Sequence, residues 1–181
     1  MIQKILSIVA VVSFLLIGAV TTHAQQPATE PTPTPSIVQY DLAFPGMLPD
    51  HSLYKLKVLR DKLQILFITD PQKRMAFLLR QADKGMLATA MLVDKHNIPL
   101  AHETALKAEH NITFLIDVLR AWGTIPPNDF VERIRTATAK HQEVLASLVP
   151  RVQEQERKTF ETVIEFSQRN LRSIEDYLIE Q

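Results

Sequence analysis

Histidine is the residue type in this 181-residue chain with the broadest chemistry, because a neutral imidazole can bind Zn, Cu or Ni and titrates near neutral pH. His102 and His110 are eight residues apart, so on a helix they lie on roughly the same face, and Glu103 and Glu109 flank them. Neither spacing is the i, i+3 or i, i+4 pair of a two-ligand site, and HExxH and ExxH do not occur. The sequence therefore predicts no metal site, with His102 and His110 as weak candidates only. Surface or helix-capping positions are the simpler interpretation of the histidines that follow residue 24: His51, His96, His102, His110 and His141.

Other catalytic and cofactor-binding signatures do not occur. The chain has no cysteine, which excludes disulfides, Cys-based zinc sites and thiol nucleophiles. It also has no nucleophile-elbow serine, P-loop or GxGxxG motif. The carboxylate pairs Glu154/Glu156 and Glu175/Asp176 point to different faces of a helix, so they fit surface charges better than acid–base pairs. We therefore expect no enzymatic activity, no cofactor, and no catalytic or cofactor-binding residue.

Charge is balanced over the whole chain but uneven along it. Twenty Lys+Arg against 20 Asp+Glu argue against a polybasic nucleic-acid binder, so we expect no nucleic-acid partner. The segment after residue 54 is locally basic, with Asp61 as its one acid. Its cations fit either a solvated helix face or a contact with an anionic envelope surface or glycopolymer: Lys55, Lys57, Arg60 and Lys62.

The first 24 residues follow the plan of a secretory signal peptide. Lys4 gives a basic start, residues 5–20 are an apolar run, and Thr22-His23-Ala24 places small residues before a cleavage point after Ala24. The alternative is an uncleaved anchor, although 16 apolar residues are fewer than the ~20 that cross a bilayer comfortably. Both interpretations place the remainder outside the cytoplasm, either secreted or in the cell envelope. An uncleaved segment would make residues 5–20 a membrane tether.

A proline- and threonine-rich linker follows at residues 25–43, because residues 25–36 read QQPATEPTPTPS and contain no large apolar side chain. We expect residues 44–181 to form one helical domain. Only three glycines follow residue 24, and no Asn-Gly or Asp-Gly turn occurs, which argues against an all-β fold.

The pattern of caps and apolar residues predicts an all-α, antiparallel bundle of four or five helices. Asp50 or Ser52 can cap a first helix running to Ile68, and Asp70-Pro71 begins a second. Pro99 and Gly123 bound a third, Asp129 with Glu132 resembles a capping box, and Pro150 should kink or break the long C-terminal helix. The predicted core stripes are Met75, Leu79, Ala82, Met86 and Val93; Ala101, Ala105, Ala108, Ile112, Leu115, Leu119 and Trp122; Phe130, Ile134, Ala137, Val144 and Leu148; and Phe160, Ile164, Leu171, Ile174 and Leu178.

Two further segments carry structural expectations. In the basic first helix we expect Leu53 and Tyr54 to plug the end of the bundle, and we expect a buried leucine stripe. The charged stretch 151–159 should pack back on the domain, with projection beyond it as the alternative. The expected stripe of the first helix is Leu56, Leu59, Leu63 and Leu66.

The segment 44–84 resembles the bacterial family DUF5667. The similarity lies in the Leu48-Pro49-Asp50-His51-Ser52-Leu53-Tyr54 start, the helix at residues 56–62, the Thr69-Asp70-Pro71 junction and Ala82-Asp83-Lys84. It fades through Trp122, so the resemblance covers about residues 44–122, and it is closest to versions from uncultured Candidate Phyla bacteria. The resemblance implies a signal or anchor followed by an extracytoplasmic helical region, and it supplies no catalytic residue.

The sequence therefore favours an extracytoplasmic, envelope-associated structural or protein-interaction module. Its partner would be an unidentified protein or envelope component, and its oligomeric state stays open. One alternative is a chaperone or stress sensor that uses apolar clusters beside the stripes, and a metal-binding bundle is a weaker one. The clusters that this alternative needs exposed are Phe77 with Leu78 and Met91 with Leu92.

Overall fold

A computed structural model describes residues 37–180, in which five α-helices are joined by short connections and no β-strand occurs. The predicted all-α fold is thereby confirmed. The predicted signal peptide, residues 1–24, and residues 25–36 of the linker lie outside the described range. The helices are α1 (Tyr54–Leu66), α2 (Pro71–Asp94), α3 (Ile98–Trp122), α4 (Asn128–Leu148) and α5 (Glu154–Ile179).

Several helix boundaries follow directly from local chemistry. The Asp70 carboxylate accepts a hydrogen bond from the backbone N–H of Lys73 at 2.7 Å, and Pro71 is the first residue of α2. Gly123 ends α3 with φ 65°, a left-handed conformation that glycine adopts without strain. Pro150 lies in a 3-10 turn, Val149–Arg151, which separates α4 from α5. These boundaries were predicted correctly.

Two predicted caps are wrong. Neither Asp50 nor Ser52 caps α1, which begins after Leu53, because the Asp50 carboxylate instead pairs with Lys95 at 2.7 Å. Asp129 lies inside the first turn of α4 rather than before it. The cap position is Pro127, two residues before Asp129, because the Pro127 carbonyl already accepts from the N–H groups of Phe130 and Val131.

Helices α2–α5 form an antiparallel four-helix bundle. One apolar cluster joins the first halves of α2 and α4 to the second halves of α3 and α5. A second cluster joins the second halves of α2 and α4 to the first halves of α3 and α5. Helices α2 and α3 approach closely at Gly85, where an added Cβ would lie 2.8 Å from the Cβ of Ala108. The largest side chains with almost no exposure are Phe160, Met75, Leu79, Met86, Leu92, Ile112, Leu115, Leu119, Ile134, Leu145, Leu148 and Ile174.

The C-terminal helix and the segment before α1 both pack against the bundle. Helix α5 lies back against α3 and α4, as expected, and Val152 before it is buried. Residues 37–53 form no helix, and they lie along the bundle, where the Val38 N–H donates to Glu143 Oε2 at 2.7 Å. No helix between residues 37 and 180 combines the length and the apolar character that crossing a membrane requires.

Two sets of apolar residues lie where the sequence did not place them. The chaperone alternative needs two exposed apolar clusters, but Leu78 and Leu92 are buried, and Phe77 and Met91 are only partly exposed. The leucines of α1 were expected to be buried, but no residue of α1 is buried. The predicted buried stripe of α1 is therefore wrong, and so is the expected plug by Leu53, which is 51% exposed.

Candidate functional site

The two histidines singled out from the sequence contact different aromatic rings of α5. The His102 ring meets the Phe160 ring edge to face at 4.4 Å, and burial lowers the pKa of His102. His110 packs against Phe166 at 5.2 Å, with its Nδ1 atom 2.8 Å from the carbonyl oxygen of Leu106. Over residues 37–180, no group of three or more His, Cys, Asp or Glu side chains is arranged to hold a metal ion.

A third histidine, His141 of α4, occupies the centre of the bundle between two carboxylates. It has no solvent exposure, and its Nε2 atom lies 3.1 Å from Asp83 Oδ1 of α2. Its Nδ1 atom lies 3.3 Å from Glu109 Oε1 of α3. Asp83 and Glu109 are also almost fully buried, with exposures of 2% and 0%. The three groups form a buried ionic triad between the two apolar clusters.

Hydrogen bonds from other elements occupy the outer oxygens of the triad. The Tyr40 hydroxyl donates to Asp83 Oδ2 at 2.8 Å, which ties the N-terminal segment to α2. The Asn170 amide of α5 donates to Glu109 Oε2 at 3.1 Å, and Thr113 donates to Asn170 Oδ1 at 3.1 Å. Each of the four bundle helices therefore contributes a polar side chain to one layer.

The triad holds its histidine in the charged form. Burial lowers the pKa of His141, but the Asp83 and Glu109 carboxylates outweigh burial and raise the pKa to about 9. Burial, together with the hydrogen bond to Asp83, raises the pKa of Tyr40 to about 12. Both ring nitrogens of His141 face carboxylates of the core, so neither is placed to exchange a proton with a substrate. The arrangement favours one register of the helices, because sliding α2, α3 or α4 along the bundle axis would leave a buried charge unpaired.

Sequence reasoning missed this layer, although a signal was present. His141 lies four residues after Ala137, in line with the predicted α4 stripe, whereas the sequence favoured a surface or capping position for it. Asp83 and Glu109 each directly follow a predicted core alanine. Three polar side chains at core positions of three helices are the pattern of a buried polar network.

The second candidate site is the surface of α1, which is apolar on two faces. Its inner face carries Tyr54, Val58 and Ile65, which are half-buried against α2 and α3. The Lys57 ammonium group fixes the preceding loop, because it donates to the carbonyl oxygens of Pro45 and Met47 at 2.8 and 3.1 Å. This inner face is the one that the bundle covers.

The outer face of α1 carries the leucine row, which we define as Leu56, Leu59, Leu63 and Leu66. These side chains are between 50% and 70% exposed, and Phe67 directly after the helix is 82% exposed. Monomeric proteins rarely expose a continuous apolar patch without a binding role. The leucine row is therefore the strongest surface feature of the described residues.

Cations border the leucine row on both sides. By the helical period, Lys55 and Lys62 follow one edge of the row and Arg60 follows the other. All three are exposed. The nearby acid, Asp61, pairs with Arg60 at 2.7 Å. The outer face of α1 is thus an apolar strip between positive charges.

Comparison with known proteins gives one family and no individual relative. Residues 46–155, more than half of the chain, match DUF5667, a domain of unknown function. The match extends beyond Trp122, where the sequence resemblance faded, and takes in α1 to α4 with their connections. No curated protein and no solved structure matches the chain. The match over residues 46–155 therefore shows that this chain belongs to the DUF5667 family.

Proposed function

We propose that this chain is a non-enzymatic interaction module of the cell envelope, in which the four-helix bundle is the scaffold and α1 is the binding element. The observation that carries this proposal is the exposed leucine row. A helix that served only to close the core would direct its leucines inward and its lysines outward. Helix α1 instead covers the bundle with Tyr54, Val58 and Ile65 and presents its four leucines to solvent.

The rigidity of the scaffold supports a binding role for α1. The ionic triad joins α2, α3 and α4, and the Asn170 amide of α5 donates to Glu109 of the triad. The hydrogen bonds from Lys57 to the preceding loop hold the start of α1. A binding surface held in one arrangement loses little conformational entropy when a partner covers it. Nothing in this role requires a cofactor or a catalytic residue.

The location outside the cytoplasm rests on the sequence. Residues 1–24 have the three parts of a secretory signal, and residues 25–36 have the composition of an extended spacer. A module on such a spacer can reach a component of the envelope while remaining on the outer side of the cytoplasmic membrane.

One labelling experiment tests both parts of the proposal, because the chain has no cysteine of its own. Two variants of the full chain each carry a single cysteine. Leu63→Cys lies in the leucine row, and Gln168→Cys lies on the exposed side of α5. A membrane-impermeant maleimide is then added to intact cells and to each purified protein. We expect Gln168→Cys to react alike in both samples, and Leu63→Cys to react in the purified protein but to be protected in cells.

Two results would contradict the proposal. If Gln168→Cys reacts only after the cells are broken, the domain is not outside the cytoplasmic membrane. If Leu63→Cys reacts as fast in intact cells as in the purified protein, nothing covers the leucine row. The exposed Leu59→Cys variant repeats the measurement one helical turn away and excludes an effect particular to residue 63.

A further inference from the structure

We infer that the leucine row of α1 docks on an anionic membrane surface, with the helix lying parallel to the membrane plane. This inference rests on the proposed function and names the partner of the same site. It follows from the arrangement of charges around the row, from the shape of the exposed apolar strip, and from the position of α1 in the chain.

The charges suit a lipid headgroup layer. Lys55 and Lys62 border one edge of the leucine row, and Arg60 borders the other. Long cationic side chains can lay their stems along an apolar surface while their charged ends reach phosphate groups. Helices that bind in the membrane interface combine an apolar face with Lys and Arg in this way. The leucine row and its bordering cations therefore complement an anionic membrane, in which negatively charged headgroups cover an apolar interior.

The shape of the strip also suits a membrane. Helix α1 has 13 residues, and at 1.5 Å per residue it is about 20 Å long. The leucine row runs along most of this length, and Phe67 extends it past the end of the helix with 82% exposure. The inner face stays on the bundle, so the leucines can enter the interface without any unfolding of α1.

A second copy of this chain is a poorer occupant. Two leucine rows placed face to face would bring the bordering cations of both copies together, and like charges at such an interface oppose association. Asp61 cannot compensate for them, because it is half-buried on the inner side and already paired with Arg60. The charge pattern therefore favours an anionic partner over self-association.

The order of the chain adds a third argument. Helix α1 is the first helix after the apolar run at residues 5–20, and residues 21–53 join the two segments. If the run is retained as a tether, α1 is the first of the five helices along the chain after the membrane segment. If the run is removed, the cations alone draw α1 to anionic lipid.

The test places a polarity-sensitive fluorophore on the Leu63→Cys variant of the full chain. The protein is incorporated into vesicles of phosphatidylcholine alone or of phosphatidylcholine with phosphatidylglycerol. We expect a blue shift of the emission with the anionic vesicles only, and no shift for the matched Gln168→Cys probe on α5. The shift should weaken as the salt concentration rises.

A charge variant makes the expected effect quantitative. Each unpaired surface cation strengthens binding to anionic lipid about fivefold, so Lys55→Gln with Lys62→Gln should weaken docking about 25-fold. Arg60 is left in place because it is paired with Asp61. The two substituted lysines are exposed, so the fold should be unaffected, which far-UV circular dichroism checks. Both the charge variant and the protein with its native cations contain residues 5–20. A difference between the two proteins on anionic vesicles therefore cannot come from that segment.

Three results would overturn the membrane inference. Emission from Leu63→Cys that is the same in both kinds of vesicle means that anionic lipid is not recognised. A blue shift that appears without vesicles and grows with protein concentration means that a second copy covers the row. Protection of Leu63→Cys in cells without any vesicle-dependent shift means that a protein covers it, and this last result leaves the proposed function intact.

Discussion

Replacing His141 with leucine is expected to lower the free energy of unfolding by about 3–5 kcal/mol, the usual cost of removing one partner from a buried ion pair. His141 is fully buried between Asp83 and Glu109, at 3.1 and 3.3 Å. Leucine would fill much of the space but would leave two carboxylates in the core without a cation. Urea unfolding followed by far-UV circular dichroism measures the change.

A matched variant separates the loss of charge pairing from a simple packing defect. Adding Asp83→Asn and Glu109→Gln to His141→Leu removes the buried charges, and keeps an acceptor oxygen for the Tyr40 hydroxyl and the Asn170 amide. Burying a neutral amide costs less than burying an unpaired charge, so this triple variant should be more stable than His141→Leu alone. Equal stability of the two variants, or a loss below about 1 kcal/mol for His141→Leu, would contradict the ionic triad.

The same triad predicts that the protein loses stability in mild alkali. The pKa of His141 is raised to about 9, against about 6.5 for an unfolded chain, so the folded protein binds its proton more tightly. The resulting stabilisation is complete below pH of about 6.5 and is lost as the pH rises through about 9. We expect a fall in the free energy of unfolding of about 3 kcal/mol across this window.

Controls locate this pH effect at His141. The triple variant, which lacks the imidazole and both carboxylates, should show no fall between pH of about 6.5 and 9. The raised pKa of Tyr40 removes stability only above pH of about 10, and the lowered pKa of His102 acts below about 6.5, so neither falls within the window. Stability that is constant or rises with pH in the unsubstituted protein would show that His141 is neutral in the core.

The apolar spacing predicted most of the bundle, because the residue types involved have one favourable environment. Met75, Ala105 and Leu115 can only lower the free energy of the chain by leaving water, so a run of such residues at helical spacing identifies a buried face. Backbone constraints were equally direct at Pro71 and Gly123, whose positions in a helix follow from their covalent structure.

The polar layer and the first helix could not be read in the same way. Histidine, aspartate and glutamate are buried only when partners from other helices meet them, and one sequence does not show which helices meet. Helix α1 has two apolar faces, and the leucines are the stronger hydrophobic signal, so the sequence favoured the wrong face. In the structure Tyr54, Val58 and Ile65 face α2 and α3 instead, where Ile65 packs against the core and all three line an open cavity with residues of those helices.

The central claim is that the leucine row lies outside the core, and a comparison of Leu63→Ala with Leu115→Ala tests it most directly. Leu115 is fully buried, so its truncation should lower the free energy of unfolding by about 2–5 kcal/mol. Leu63 is half-exposed on the outer face of α1, so the same truncation should change the free energy by no more than about 0.5 kcal/mol. Equal losses for the two variants would place Leu63 in the core and contradict the assignment of α1 as a binding surface.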